Sequence, residues 1–141
     1  MSDAAPASRL PDLIAMAADG SSENRRKLLR ELTESFFGAP TRSAAEDSLY
    51  DAVLVSLTTD METAVRAELA ARFADVADAP CGLIRRLAND EAAVAGAVLR
   101  ASPILTDEDL LSVVRTHGQE HLRAVSIRPT VSEAVSDIIV E

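Results

Sequence analysis

The chain reads as an all-α protein of short stacked helical hairpins, and three observations carry that reading. Its 141 residues are 48% apolar but only 3% aromatic, with no tryptophan, and Ala, Leu, Val and Arg dominate. That composition favours helix-on-helix packing over a sheet-rich core. Next, Leu57-Thr58-Thr59-Asp60 leading into Val65-Arg66-Ala67-Glu68-Leu69 recurs in degenerate form as Leu87-Ala88-Asn89-Asp90 leading into Val94-Ala95-Gly96-Ala97-Val98. The alignment sets Asp60 on Asp90, with one residue deleted before the valine. Finally, turn signals become regular from Asp60 onward, at the spacing of short helices. Units of this kind cannot bury an apolar face alone, so they are expected to stack into a short α-solenoid.

The elements follow in order. Residues 1–7 are small, polar and acidic, and are expected to form a disordered tail that is neither a signal nor a transit peptide. Residues 8–58 form an N-terminal helical region. Leu10, Leu13, Ile14 and Ala17 keep the i, i+3, i+4, i+7 spacing of a first helix, closed by Asp19-Gly20. Ser21-Ser22 opens a second, with Leu28, Leu29, Leu32 and Phe36 on one face, Arg25, Arg26 and Arg30 near the other, and Gly38-Ala39-Pro40 as its stop. Ser43 and Glu46 have capping-box spacing for a third, whose expected buried stripe is Ala45, Leu49, Ala52, Val53 and Leu57, with Tyr50 at the core edge.

Residues 59–141 make the repeat array. Val65, Leu69 and Phe73 mark one helix, Leu83, Ile84 and Leu87 the next, and Val94, Ala97 and Val98 a third. Pro103 ends that run, and Thr106 with Asp109 caps a new helix whose acidic first turn suits the helix dipole. Setting Pro103 on Pro129 places Leu105 on Val131, Thr106 on Ser132, Asp107 on Glu133, and Val98-Leu99 on Ala124-Val125. Each unit therefore reads as helix, proline turn, capped helix. Ile138-Ile139-Val140 is an apolar stripe where a terminal repeat needs a polar face, so the array is expected to be incomplete or covered by another subunit.

The spacing Asp60-x-x-x-x-Val65-Arg66 resembles the HEAT repeat. That resemblance implies paired helices, with the aspartate at the end of the loop and the arginine on the second helix, joined in a polar ladder. Asp60 is then expected to cap a helix start and Arg66 to reach a carboxylate across the packing gap. Over Leu83 to Val140 the chain is similar to the bacterial domain-of-unknown-function 2336 family. The strings that carry this are Leu-Ile-Arg-Arg-Leu-Ala-Asn-Asp-Glu, Val-Leu-Arg-Ala-Ser-Pro-Ile-Leu-Thr-Asp-Glu-Asp-Leu-Leu, His121 to Pro129, and Val131 to Asp137. The resemblance implies a HEAT-like or leucine-rich-variant helical array without an assigned activity.

Chemistry is sparse. A formal charge of -9 argues against a nucleic-acid surface, and only Arg25, Arg26, Lys27 and Arg30 form a dense basic cluster, which reads as a solvated helix face before a DNA contact. Cys81 is the single cysteine, so no internal disulfide forms; it is expected as a small, at least half-buried residue at a turn or helix start. No apolar run approaches the roughly twenty residues that span a bilayer. Five glycines build no phosphate loop, no serine sits in a nucleophile elbow, and the acid pairs fall at helix starts. His117-Gly118-Gln119-Glu120-His121 matches the H-x-x-E-H pattern of inverted zinc peptidases, with the histidines as ligands and Glu120 as base, and Glu133 or Glu141 as a third ligand. Gly118 within it instead predicts a turn between Arg115 and Glu120.

The expectation is therefore a noncatalytic, cytoplasmic protein–protein interaction scaffold with a regulatory role and no cofactor. A protein partner is expected, with self-association through the second and third helices as a further mode, and neither a membrane nor nucleic acid. Asp60, Arg66, Arg72, Arg85, Arg86, Arg100 and Arg128 are the candidate partner-binding or inter-repeat ladder residues. A zinc-dependent hydrolase through His117, Glu120 and His121 is the alternative.

Overall fold

The computed structural model describes residues 22–39 and 41–128. Among these residues there are seven helices and no strand: α1 (Ser22–Phe37), α2 (Ala44–Thr59), α3 (Thr63–Phe73), α4 (Cys81–Ala88), α5 (Ala92–Ala101), α6 (Asp107–Thr116) and α7 (Gln119–Ser126). The all-α expectation holds. Those for the tail, the helix at Leu10–Ala17, the stop at Pro40, the Pro129 turn and the stripe at Ile138 lie outside the described residues. No described helix is long and apolar enough to cross a membrane.

The chain divides into two compact units, Met1–Met61 and Glu62–Glu141. In the first, α1 packs on α2. The expected stripe of α1 is buried, with Leu28 and Leu32 fully so. That of α2 is not the expected one: Tyr50, Leu54, Leu57 and Thr58 are buried, while Ala45 and Ala52 are exposed and Leu49 is 42% exposed. The stripe is turned by about one residue because two polar groups in it find partners, which removes the cost of burying them. Tyr50 Oη lies 2.7 Å from Ser35 Oγ and Thr58 Oγ1 donates to the Leu54 carbonyl at 2.6 Å. Tyr50 also meets Phe36 edge to face at 5.5 Å, so it is a core residue and not an edge one.

The loop between α1 and α2 is built on Arg42. Its guanidinium sits 3.8 Å over the Phe36 ring, donates to the Phe36 and Ala39 carbonyls at the end of α1, and pairs with Asp47 at 2.7 Å. The Ser43–Glu46 capping box is formed in both directions, as the spacing predicts.

In the second unit α5 packs on both α3 and α7; α4 lies on α3 and α5, and α6 on α7. Leu69, Phe73, Leu83, Ile84, Leu87, Val94, Val98 and Leu99 fill its core, joined by Ala124 and Val125 of α7. Val98-Leu99 and Ala124-Val125 are thus buried on neighbouring helices, while the proline alignment that pairs them reaches residues outside the described ones. Thr106 and Asp109 cap α6 reciprocally. Cys81 opens α4 but is exposed, contrary to expectation, because its N-terminal end of the helix faces outward while Leu83 and Ile84 turn inward.

The entries to α3 and α5 share one backbone geometry, in a register that differs from the sequence alignment. Glu62 and Glu91 are the N-caps of α3 and α5, with φ,ψ of -64°, 155° and -61°, 157°. Asp60 and Asn89 are the preceding C-caps, at -98°, 4° and -99°, 8°. Met61 and Asp90 then donate to Thr58 and Leu87 in matching turns. The offset is a constant 29 residues from Glu62 to Glu91, without a deletion. Asp60 accordingly aligns with Asn89, and Asp90 with the buried Met61.

Two truncations separate the observed α2 stripe from the expected one. Leu54→Ala should cost about 2–5 kcal/mol in urea denaturation, as a buried leucine does, whereas Leu49→Ala should change stability by less than about 1 kcal/mol.

Candidate functional site

Asp90 is where most of the second unit's polar structure converges. The residue lies in the short turn between α4 and α5, and its side chain is only 6% exposed. Arg66 of α3 grips it with two bonds, Nε to Oδ2 at 2.8 Å and Nη2 to Oδ1 at 3.1 Å. Arg86, one turn earlier on α4, adds Nη1 to Oδ2 at 3.4 Å, and the Glu91 amide donates to Oδ1 at 2.8 Å as α5 begins. The Asp90 carbonyl in turn accepts from His121 Nε2 of α7 at 2.7 Å. One residue therefore ties α3, α4, α5 and α7.

The electrostatics follow from this crowding. Burial by itself raises the Asp90 pKa, but the Arg66 hydrogen bond, the Glu91 amide and the charges of Arg66 and Arg86 outweigh it and leave the carboxyl below the ordinary aspartate value of 3.8. Asp109 is similar. Burial raises it, whereas the amide and hydroxyl of Thr106 and the charge and hydrogen bond of Arg85 bring it below the usual value. Arg85 Nε reaches both Asp109 oxygens, at 3.2 and 3.3 Å, so α4 is tied to α6. Arg128 closes a third tie, donating to the Leu99 and Ser102 carbonyls at 2.6 and 2.7 Å where α5 ends. Burial depresses the Arg128 pKa, partly opposed by Asp107.

The sequence-selected residues thus separate. Arg66, Arg85, Arg86 and Arg128 tie elements of the second unit together. Asp60 pairs with Arg25 at 2.9 Å within the first unit, its carboxylate mostly exposed. It does not cap α3, whose N-cap is Glu62 with no side-chain capping bond, because Asp60 is two residues too early and already closes α2. Arg72 is exposed in the last turn of α3. Arg100 is exposed, has no ion-pair partner among the described residues, and folds back over Gly96, where an added Cβ would meet its Nη1 at 3.0 Å. Arg26, Lys27 and Arg30 line a shallow depression on α1 with Glu23, while Arg25 is taken by Asp60.

The histidine motif is split by the turn that Gly118 predicts: His117 ends α6, Gly118 is the N-cap of α7 and His121 lies in the first turn. The two rings stack at 4.3 Å and 13°. His117 Nε2 lies 3.2 Å from Asn89 Oδ1, so both rings bind the preceding α4–α5 turn through Nε2. Glu120 is exposed, and among the described residues no three His, Cys, Asp or Glu side chains are grouped to hold a metal ion. The downstream glutamates of that reading, Glu133 and Glu141, lie outside the described residues.

Asp90, Asn89 and Arg42 are absent from the sequence-selected set. Asp90 is visible in the repeat, but the off-by-one register casts it as the equivalent of an exposed cap. Its grip by Arg66 spans 24 residues, a separation that no local pattern marks.

The C-terminal third of the chain is similar to a known family. Residues 94–141 match the family described as "Uncharacterised protein conserved in bacteria (DUF2336)". The resemblance drawn from the sequence holds over this segment, which spans most of α5 and all of α6 and α7. No curated protein and no solved structure matches the chain.

Removing Arg66 leaves a buried carboxylate facing only the weaker Arg86 contact. Arg66→Met should therefore cost about 3 kcal/mol or more in chemical denaturation, and Arg85→Ala, at a half-exposed pair, less than about 1 kcal/mol. Because the folded-state Asp90 pKa is depressed, its contribution is in place above the unfolded aspartate value and is lost as pH falls through the folded value. Stability measured from pH 5 downward should fall, and Asp90→Asn should flatten that fall.

Proposed function

We propose that the chain is a noncatalytic protein–protein interaction scaffold whose second unit is a short run of HEAT-like helical hairpins. The packing of α5 on both α3 and α7 supports this reading, together with the matched caps at Glu62 and Glu91. Repeated hairpins joined side by side make a short solenoid, and the usual work of such arrays is to present a surface to another protein. The polar groups of the second unit serve the same reading. Arg66, Arg85, Arg86, Asp90 and Asp109 are engaged by one another and the two histidines by Asn89 and the Asp90 carbonyl, an arrangement that fixes helices.

A regulatory role, a cytoplasmic setting and a protein partner belong to the same proposal. Arg100 is the residue best suited to report on the partner surface, being exposed and uninvolved in the internal ties. Immobilised full-length chain should retain a protein from a bacterial lysate across a range of salt, and Arg100→Glu should reduce that retention severalfold while shifting stability by less than about 0.5 kcal/mol. Recovery of general chaperones alone, equally by native chain and variant, overturns the proposal.

A further inference from the structure

We infer that the chain self-associates through the outward face of α2, which pairs across a two-fold axis with the same face of a second copy, the two helices running antiparallel. The face is the one that apolar spacing expects to be buried and that the fold leaves open. Ala45, Leu49, Ala52 and Ser56 are exposed and follow one another at steps of four, three and four residues, with Val53 half-buried beside them. That is the spacing of a seam along which two helices lie side by side. With Phe37 and Ile127, Leu49 is one of the large apolar side chains left exposed among the described residues.

The stripe is complementary to itself. In an antiparallel pair Leu49 faces Ala52 of the second copy, Ala52 faces its Leu49, and Ala45 meets Ser56 at either end of the seam. Each large side chain thus stands against a small one, the alternation that lets facing layers interdigitate. One symmetry operation generates both contacts, so the pair closes as a dimer and does not propagate.

Charge selects the same orientation. α2 carries Glu46, Asp47 and Asp51 in its first half and no cation anywhere. A parallel pair would set these acids beside their own copies, whereas an antiparallel pair sends them to opposite ends and opposes the two helix dipoles. The Ser35–Tyr50 and Arg25–Asp60 contacts show that α1 runs back along α2, so Arg26, Lys27 and Arg30 belong to the end of the hairpin where α2 finishes. The two-fold therefore brings the acidic end of each hairpin to the basic end of the other, a complementarity that fixes register and orientation. α2 has 16 residues and is about 24 Å long, which makes the interface small and the dimer weak, in the micromolar range.

The test is made on the full chain. Sedimentation velocity should show monomer giving way to dimer between roughly 5 and 500 µM. Leu49→Asp, which sets a carboxylate within the seam, should raise the dissociation constant at least about tenfold while helical circular dichroism and the urea midpoint stay unchanged. A monomer throughout that range, or a dimer that Leu49→Asp leaves as tight, overturns the proposal. Orientation is read by cysteines in a Cys81→Ser background. Ala45→Cys and Ser56→Cys chains, mixed and oxidised, should give a disulfide-linked pair of one with the other, and neither should cross-link alone, because the antiparallel seam holds two copies of either position about 16 Å apart, beyond disulfide reach. Self-linkage of each variant without the mixed product overturns the antiparallel seam. Should Leu49→Asp fail to fold, the native sedimentation series and the cysteine mixing decide the matter.

Discussion

The second unit depends on the burial of one carboxylate. An ion taken out of water is costly unless its partners replace the lost hydration, and Asp90 is stable there because two guanidiniums and an amide do so. The apolar side chains around it set which faces meet, but they tolerate sliding. A bidentate arginine–carboxylate pair does not, since both N–H···O bonds need one distance and one plane. Arg66 thus sets the register of α3 against the α4–α5 turn, and His121 sets that of α7 against the same turn. Seen from the turn, each neighbouring hairpin contributes one polar side chain to a single residue.

The first unit solves a related problem by different means. Its helices bury a tyrosine and two threonines, each satisfied by one short bond, and its loop gathers the end of α1 onto Arg42. Here hydroxyls fix the face of α2 where the second unit uses charge. The buried hydroxyls of the first unit and the Asp90 carboxylate of the second all have partners, as a buried polar group requires, whereas Arg25 Nε is buried without one.

Much of the fold was legible because it rests on short-range signals. Hydrophobic spacing located the apolar faces of α1, α3, α4 and α5, and both capping boxes were evident from a serine or threonine three residues before an acid. The errors share a cause. Apolar periodicity alone preferred Ala45, Leu49 and Ala52 in α2, because nothing local reveals that Ser35 awaits the Tyr50 hydroxyl fifteen residues away. The two helix entries were matched one residue out of register, since matching aspartates weigh more in a sequence alignment than matching backbone turns. The polar junction was half visible: its arginines were selected, while Asp90, buried at a position equivalent to Met61, and the two histidines took on meaning only with partners 24 to 31 residues distant.

The unbroken 29-residue offset between the caps of α3 and α5 also bears on how such a chain can change length. A single inserted or deleted residue within a helix turns everything beyond it by about 100°, which would swing Val94, Val98 and Leu99 out of the core together with the arginine ties. A change of length by one residue is therefore compatible with this core in the turns and not within the helices that build it.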